Sequence, residues 1–294
     1  MRIGVDVGGT TVKIGFIDNY EIKHSYQIET TKDTLFDDVC KSISDYQKNN
    51  NIEIEAIGFG IPGVVKDNFI INMPNIGITN FDLEKKVSNY FPNIKIKSCN
   101  DANAAALGEA LCDDEKPESS YMITLGTGVG GGFVLNGKVL DGAHSACAEI
   151  GHMYIDHKHE FLCSCGLKGC LETVASATGI VRLAKTYYRD YRTSLKEDDF
   201  TAKDVFDKAK ENDPLCSFVF DEVSKYLARG IANIACTTDV DVFYIGGGVA
   251  ACGQILIDSI VKYYKKYCHF ALVDTKIKLA RLGNKAGMLG AAYL

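Results

Sequence analysis

A carboxylate stands where a predicted strand gives way to a predicted helix. Ile94–Ser98 has the apolar pattern of a strand, and Asn100-Asp101 opens an alanine-rich helix that runs through Leu111. In-line transfer of a phosphoryl group from ATP to an alcohol needs a carboxylate that orients the hydroxyl and accepts its proton, and a helix N-terminus holds such a group ionised. Asp101 is therefore a candidate general base. The alternative is that Asn100 or Asp101 only caps the helix, which is a common use of both residue types.

Two segments rich in glycine and threonine each lie between two predicted strands. The first is Asp6-Val7-Gly8-Gly9-Thr10-Thr11-Val12-Lys13, and the second, Gly126–Gly132, has five glycines in seven residues. Glycine lets a backbone approach a phosphate closely, and successive amides can form an anion-binding nest. Asp6, at a strand end, can hold Mg²⁺ through water. An ordinary hairpin is the alternative for the first segment. The second is neither a Walker A loop nor a good Rossmann fingerprint, because no Gly-Lys-Ser/Thr and no helix follows it.

Two further carboxylates and an imidazole lie in short motifs of the second half. They are Glu149 and His152, in Glu149-Ile150-Gly151-His152, and Glu172, in Leu171-Glu172-Thr173. Such groups are suited to fixing a ring of hydroxyls by charge-assisted hydrogen bonds. The alternative for each residue alone is a surface position or a satisfied place in the core.

Three of the eleven cysteines are clustered, in Cys163-Ser164-Cys165-Gly166-Leu167-Lys168-Gly169-Cys170. Three thiolates and one imidazole make a closed tetrahedral Zn²⁺ site of the structural kind. A redox role is the weaker reading, because the segment has no Cys-x-x-Cys pair in a thioredoxin-like setting. The other eight cysteines are scattered singly, which is typical of small buried hydrophobic residues kept reduced.

The elements that must position these residues alternate between strands and helices in both halves, which indicates α/β architecture. Helices are predicted near Leu35–Lys48, Val174–Tyr188, Ala202–Lys210 and Pro214–Cys236. The polar segment Asp113–Ser120 contains a proline and is predicted to link two lobes. A length of 294 residues fits two packed lobes better than one small domain.

Composition argues against several classes of function. The net charge of −6 disfavours non-specific nucleic-acid binding, which needs a basic face. No apolar run approaches the roughly 20 residues that span a bilayer, and glycines come too early in the first residues for a signal peptide. We expect a cytoplasmic protein that binds no nucleic acid and no membrane.

These motifs together resemble a known family. The paired glycine segments are similar to the two phosphate motifs of the actin-like ATPase superfamily, and Ile245-Gly246-Gly247-Gly248-Val249 is similar to its adenosine motif. Asn100–Ala105 resembles the catalytic segment of the ROK family of sugar kinases, and Cys163–Cys170 resembles that family's zinc signature. The resemblance extends to Gly283–Ala292, and so covers nearly the whole chain.

The resemblance implies a fold and a set of roles. The fold is α/β, with two ribonuclease-H-like (actin-like ATPase) lobes around a central cleft: residues 1–113 plus 286–294, and residues 114–285 with a zinc-binding segment at 152–170. The catalytic base is Asp101. The implied substrate-binding residues are Gly63, Asn75, Asn100, Asp101, Glu149, His152 and Glu172. The implied ATP- and Mg²⁺-binding residues are Asp6, Gly8, Gly9, Thr10, Thr11, Lys13, Thr127, Gly128, Gly130, Gly131, Gly247 and Gly248. The implied ligands of a structural Zn²⁺ are His152, Cys163, Cys165 and Cys170.

One spacing leaves the fourth zinc ligand to be decided. His152 and Cys163 are eleven positions apart, one more than we expect of the family. An extra residue in the intervening hairpin would absorb the difference, but His157 and His159 lie there as rival ligands. We favour His152. Its other ring nitrogen could then face a sugar hydroxyl.

The expected function is transfer of the γ-phosphate of ATP to a primary hydroxyl, O6 of glucose. An N-acetylmannosamine or other hexose kinase is the alternative with the same chemistry, and Ser145–Ala148 is less glycine-rich than we expect beside the sugar site. A sugar-sensing ROK regulator is the alternative from another class. It would carry a helix-turn-helix, whereas the first glycine segment here begins at Asp6. A non-sugar ATPase would leave Glu149, His152 and Cys163 unexplained. The family makes a homodimer the expected assembly.

Overall fold

The computed structural model describes residues 1–294, which divide into two compact units. Met1–Met122, Gly132–Ala148 and Leu282–Leu294 form the first unit, and Ile123–Gly131 with Glu149–Arg281 forms the second. No helix in either unit combines the length and the hydrophobicity that crossing a membrane requires.

The first unit is built on a five-stranded sheet of order β3-β2-β1-β4-β8. Its strands are β1 (Arg2–Val7), β2 (Thr11–Asp18), β3 (Glu21–Glu29), β4 (Ala56–Ile61) and β8 (Lys95–Asn100). β1 to β3 form an antiparallel meander, and β4 lies parallel to both β1 and β8. Because parallel strands bring their carboxyl ends to one edge of a sheet, the turn after β1 and the end of β8 share that edge.

Helices and a small second sheet complete the first unit. The helices are α1 (Leu35–Asn50), α2 (Leu83–Ser88), α3 (Asp101–Cys112) and α9 (Ala286–Ala291), and a three-stranded sheet is formed by β5 (Val64–Lys66), β6 (Phe69–Met73) and β7 (Ile78–Asp82). The core is a cluster of buried side chains from β1, β2, β4 and α1, among them Ile14, Phe59 and Ile43.

Helix α9 packs closely on α3 through glycine. A Cβ at Gly290 would lie 1.8 Å from the carbonyl oxygen of Ala104, and one at Gly108 would lie 2.3 Å from the carbonyl oxygen of Ala286. The buried Glu109 carboxylate accepts the Leu282 amide at 2.8 Å and so holds the segment that leads into α9. The last helix is therefore a fixed support for the helix that begins at Asp101.

A second five-stranded sheet has the order β11-β10-β9-β12-β13. It consists of β9 (Ser119–Leu125), β10 (Val129–Leu135), β11 (Lys138–Val139), β12 (Val242–Gly246) and β13 (Lys276–Leu279). The helices of the second unit are α4 (Glu172–Ala175), α5 (Ala177–Thr186), α6 (Ala202–Lys210), α7 (Pro214–Thr238) and α8 (Gln254–Tyr267). The buried face of α7 is its main core element, and the Asp213 side chain caps the start of that helix.

The compact units differ from the predicted lobe boundaries. Residues 114–122, 132–148 and 282–285 were predicted to belong to the second lobe but lie in the first unit. Packing explains the difference: a Cβ at Gly132 would lie 2.6 Å from Ala106 Cβ and 2.8 Å from the Ala102 carbonyl oxygen. The Asn136 amide also donates to the Glu118 backbone carbonyl at 2.6 Å. The β10–β11 hairpin is thus bound to α3 by contacts that no local sequence pattern reveals.

Candidate active site and metal centre

The first glycine turn, Gly8–Thr10, joins β1 to β2. The Gly8 amide donates to the Thr11 carbonyl at 3.0 Å, and the Thr30 hydroxyl donates to the Gly8 carbonyl at 2.8 Å. Gly9 and Thr10 are exposed, and their amides donate no backbone hydrogen bond. A turn fixed at its base, with two exposed residues whose amides donate no backbone hydrogen bond, is suited to an anion.

Asp6 lies at the start of this turn, in an ion pair with Lys13. The Lys13 ammonium lies 3.1 Å from Oδ2 of Asp6. Gly287 at the start of α9 leaves room for the carboxylate, because a Cβ there would lie 3.0 Å from Oδ1. The structure thus brings together the predicted Mg²⁺ and phosphate groups of the first unit.

Asn100 and Asp101 form the junction between β8 and α3. Oδ1 of Asn100 accepts the Ala102 amide at 2.9 Å and the Asn103 amide at 3.4 Å, so Asn100 is the helix cap. Its Nδ2 donates to the Gly63 carbonyl at 3.2 Å. Oδ1 of Asp101 accepts the Ala102 amide at 2.9 Å. The capping interpretation is therefore correct for Asn100, and the cap holds Asp101 as the first residue of the helix.

Gly63 is brought against Asn100 by the turn between β4 and β5. A Cβ on Gly63 would lie 2.2 Å from the Asn72 carbonyl oxygen, so only glycine fits there. Asn75, the weaker of the two predicted sugar contacts outside the main motifs, lies exposed in the turn between β6 and β7.

The second glycine turn, Gly126–Gly128, joins β9 to β10 in the second unit. The Glu172 carboxylate reaches this turn, because its Oε2 accepts the Val129 amide at 3.0 Å. Gly247 lies against the end of β9: its φ is +87°, and a Cβ there would lie 2.4 Å from the Leu125 carbonyl oxygen. Two of the predicted ATP motifs are thus neighbours within this unit. Gly130 and Gly131 lie inside β10 rather than in the turn.

Glu149 and His152 are placed by a short 3-10 turn. Gly151 packs on β10, where a Cβ would lie 2.1 Å from the Val129 carbonyl oxygen. The His152 amide donates to the Glu149 carbonyl at 3.2 Å. Glu149 is exposed, whereas His152 is partly buried. The same strand start therefore supports both the turn at Glu149–His152 and the contact with Glu172.

Four side chains in the second unit meet in a cluster that could hold a metal ion. One ligand atom from each of His152, Cys163, Cys165 and Cys170 lies within 4.8 Å of the other three. Nδ1 of His152 is 3.5 Å from the Cys163 sulfur, and the sulfurs of Cys165 and Cys170 are 3.8 Å apart. Zn–S and Zn–N bonds of about 2.3 and 2.0–2.1 Å give tetrahedral edges of about 3.8 and 3.6 Å. The donor set and its spacing therefore fit Zn²⁺.

Two cysteines of the cluster have pKa values shifted in opposite directions. Burial, followed by the neighbouring thiols Cys163 and Cys165, raises the pKa of Cys170 to about 12. A hydrogen bond from the Leu167 backbone lowers the pKa of the exposed Cys165. Because a thiolate is the ligand form, a metal ion that binds here would have to displace the Cys170 proton.

The rival ligand His159 is engaged elsewhere. Its Nδ1 lies 3.0 Å from Oδ1 of the buried Asp156, and its Nε2 lies 2.8 Å from the Tyr187 hydroxyl. The Tyr226 hydroxyl donates to the same Asp156 oxygen at 3.0 Å. His157 is exposed and lies outside the cluster. The segment before Cys163 is thus anchored to α7 by Asp156 and to Tyr187, the residue that follows α5, by His159.

Comparison with known proteins identifies the family to which this chain belongs. A sequence model of the ROK family matches residues 2–294. The chain belongs to the ROK family. The predicted family is confirmed, and so is the predicted α/β class with the actin-like ATPase fold.

Relatives of this ROK protein match along nearly its whole length. The glucokinase of Halalkalibacterium halodurans is 36% identical over an alignment of 311 residues, and this alignment covers 99% of this chain and 94% of the relative. The crystal structure of the ROK hexokinase from Thermus thermophilus has a TM-score of 0.86 at 28% identity and covers 99% of this chain and 96% of its own. The ROK family glucokinase from Streptomyces griseus, in complex with glucose and AMPPNP, has a TM-score of 0.77 at 30% identity, covering 99% and 97%.

Some polar residues of this ROK protein were not singled out by sequence motifs. The buried Asn103 donates to Oδ1 of Asp141 at 3.3 Å, its own Oδ1 has no partner, and burial raises the pKa of Asp141. The Ser164 hydroxyl donates to Oε1 of Glu172 at 3.2 Å, and the Thr178 hydroxyl donates to the Thr127 carbonyl at 3.2 Å. Asn103 has a weak signal, since it lies in the catalytic segment. Thr178 has none, because its partner is 51 positions away in sequence, and no motif marks Ser164, although Glu172 is only eight positions away.

Proposed function

We propose that this chain is an ATP-dependent hexose kinase that transfers the γ-phosphate of ATP to the 6-hydroxyl of glucose. The observation that carries the proposal is the Asn100–Asp101 junction. It fixes a carboxylate at the first residue of α3, in a chain similar over nearly its whole length to a glucokinase. Phosphoryl transfer to an alcohol needs such a group and little other covalent chemistry from the protein.

Asp101 is the proposed general base. Its carboxylate accepts the proton of the 6-hydroxyl while that oxygen attacks the γ-phosphorus in line, and the bond from phosphorus to the bridging oxygen breaks to release ADP. The Ala102 amide on Oδ1 and the N-terminus of α3 keep the carboxylate ionised and directed. A base of this kind contributes about 10²–10⁴-fold to the rate.

The glycine turns are the proposed phosphate sites. The amides of Gly9 and Thr10, which donate no backbone hydrogen bond, would donate to phosphate oxygens. The Thr10 and Thr11 hydroxyls and the turn at Gly126–Gly128 would do the same. Asp6 would hold Mg²⁺ through water, and Lys13 beside it would balance the charge of the carboxylate. When bound, Mg²⁺ neutralises charge on the β- and γ-phosphates. Gly247 and Gly248 would contact the nucleoside.

Sugar recognition is proposed for Asn100, Glu149, His152 and Glu172, with Gly63 and Asn75 as lesser contacts. Asn100 uses one amide N–H on Gly63 and keeps the other for a hydroxyl. The Nδ1 of His152 faces the cysteine cluster, which leaves Nε2 as its sugar-facing atom. We propose structural Zn²⁺ as the resident of the cluster, where it would fix the His152 ring.

Two further parts of the proposal rest on the family alone. We propose a homodimer, which light scattering on the purified protein would test. We also propose a cytoplasmic location, where ATP is supplied.

The test is a coupled ADP-release assay with purified protein, Mg²⁺ and a panel of glucose, N-acetylmannosamine, N-acetylglucosamine, fructose and mannose. Glucose should give the highest kcat/KM. Turnover with N-acetylmannosamine in its place would keep the kinase chemistry and replace the proposed substrate. No sugar-dependent ADP release with any of the five would refute the function. Asp101→Asn should abolish transfer while nucleotide binding persists, and a fully active variant would rule Asp101 out as the base.

A further inference from the structure

The second glycine turn is held by one short segment of the chain, Glu172–Thr178. Glu172 accepts the Val129 amide at 3.0 Å, the Ala177 amide donates to the Gly126 carbonyl at 2.8 Å, and the Thr178 hydroxyl donates to the Thr127 carbonyl at 3.2 Å. Each contact comes from a residue some 40 or more positions away in sequence. The turn therefore takes its shape from this segment as well as from its own glycines.

Glu172 touches the turn more closely than a hydrogen bond alone requires. A Cβ on Gly128 would lie 2.3 Å from Oε2 of Glu172 and 3.2 Å from its Cδ. The φ of Gly128 is not positive, so its backbone conformation is open to other residues. A side chain at this position would therefore have to displace the Glu172 carboxylate from the turn.

The other oxygen of Glu172 is tied to the cysteine segment. Its Oε1 accepts the Ser164 hydroxyl at 3.2 Å and lies 3.7 Å from the Cys163 sulfur. With both oxygens engaged, the side chain is held in one orientation against the second glycine turn.

We propose that Glu172 is a positioning residue for the phosphates of ATP, in addition to its proposed role as a sugar ligand. The inference rests on the proposed kinase function. A carboxylate beside a phosphate-binding turn gains nothing from its charge, since like charges repel. Glu172 therefore acts through geometry, because by accepting the Val129 amide it fixes the turn before nucleotide arrives. Preorganised donors bind an anion more tightly than donors that must first be ordered.

Charge and shape can be separated by two substitutions. Glu172→Gln keeps an oxygen for the Val129 amide and removes the negative charge, whereas Glu172→Ala removes both. Affinity for Mg²⁺-AMPPNP, measured by calorimetry without sugar, should fall in Glu172→Ala by about five- to tenfold, the change expected for one hydrogen bond of about 1 kcal/mol. Glu172→Gln should bind the nucleotide at least as tightly as the wild type. Both variants should lose affinity for glucose.

The contact with Gly128 gives a double-mutant cycle. Gly128→Ala should weaken nucleotide binding about tenfold in the wild type, because the methyl group meets the carboxylate and the turn must move. In the Glu172→Ala background the same methyl group has room, and the additional loss should be less than twofold. Thr178 makes no proposed sugar contact. The variant Thr178→Val, which loses the hydrogen bond to the Thr127 carbonyl, should therefore weaken nucleotide binding and leave glucose binding unchanged.

The outcomes distinguish this inference from the function on which it rests. Nucleotide affinity in Glu172→Ala equal to that of the wild type, or additive losses in the cycle, would overturn the positioning role while the kinase stands. A loss in Glu172→Gln as large as in Glu172→Ala would also overturn it, because charge would then be the cause. Failure of the wild type to bind AMPPNP would overturn the proposed function and this inference with it. Circular dichroism and zinc content verify that each variant is folded.

Discussion

The close packing of α9 on α3 leads us to predict that the variant Gly290→Ala is less stable than the wild type. Gly290→Ala places a Cβ 1.8 Å from the Ala104 carbonyl oxygen, against a closest approach of 3.0 Å for real Cβ atoms. The helices must therefore separate by about 1.2 Å, the difference between those two distances. The neighbouring atoms are backbone, namely the Ala104 carbonyl and the Gly108 amide, so no side chain can yield.

The expected change in the free energy of unfolding of Gly290→Ala is the sum of two opposing contributions. Overpacking a core by a methyl group costs about 1–3 kcal/mol, and a clash with backbone belongs at the upper end, about 3 kcal/mol. Alanine is a better helix former than glycine, which returns about 1 kcal/mol. We expect Gly290→Ala to lower the free energy of unfolding by about 2 kcal/mol.

Gly230→Ala is the matched control. Gly230 is also a buried helical glycine, in α7, but a Cβ there would meet only the end of the Leu171 side chain, at 3.2 Å. This variant should be neutral or more stable by up to about 1 kcal/mol. Urea unfolding followed by circular dichroism compares the two. A Gly290→Ala protein as stable as Gly230→Ala would refute the reasoning, because the close approach of α3 and α9 would then carry no constraint.

The metal cluster, the cap of α7 and a strained loop residue each give a further prediction. His152→Ala should lose zinc, measured by elemental analysis, while His159→Gln keeps it, because the His159 ring faces Asp156 and Tyr187; equal zinc content in both would contradict the ligand assignment. Burial would raise the pKa of Asp213, but hydrogen bonds, first that of the Ser194 amide, outweigh it and lower the pKa below 3.8. The stability that this carboxylate adds is therefore present above pH 3.8 and lost as the pH falls through the lowered folded pKa. Asp213→Asn should lower the free energy of unfolding by about 1–2 kcal/mol at pH 7, with a difference that shrinks towards pH 3; a constant difference would contradict the linkage. Ala148 has a φ of +68°, so Ala148→Gly should raise the free energy of unfolding by about 0.5–1 kcal/mol, and a less stable variant in the same urea titration would oppose that reading.

Elements with strong local signals were predicted well. The first glycine segment was predicted to lie between two strands, and the structure places it between β1 and β2, whose apolar residues give a strong local signal. The helix Ala202–Lys210 matches its prediction, and a Thr201 capping box marks its start. The hairpin of β10 and β11, in which Leu135 pairs with Lys138, turns at Asn136-Gly137, a dipeptide typical of such turns.

Elements that depend on tertiary packing were missed. The sheet of β5, β6 and β7 was not predicted, because its strands are short and mix exposed apolar residues such as Phe69 and Ile71 with polar ones. The single helix predicted over Val174–Tyr188 was wrong in its continuity. Ser176 is extended and caps a new helix by accepting the Gly179 amide, which separates α4 from α5.

Among the site residues, too, those with a local sequence signal were predicted, and those that depend on tertiary contacts were not. Motif chemistry was sufficient to single out the three clustered cysteines, which the structure brings together with His152, whereas the role of Asp101 stays a prediction. It was not sufficient to choose between His152 and His159, which needed the partners that each ring meets in space. The contact of Glu172 with the second glycine turn joins residues 43 positions apart, and only the fold reveals it.

The central claim is phosphorylation of glucose at its primary hydroxyl. The most direct test is ³¹P NMR of the products formed from glucose, ATP and Mg²⁺ by the purified protein, with Asp101→Asn as the control. The wild type alone should form ADP and a phosphomonoester whose phosphorus signal is split into a triplet by the two protons on C6. A signal split into a doublet would place the phosphate on a ring carbon, and ADP with inorganic phosphate alone would mean hydrolysis; either result would contradict the account.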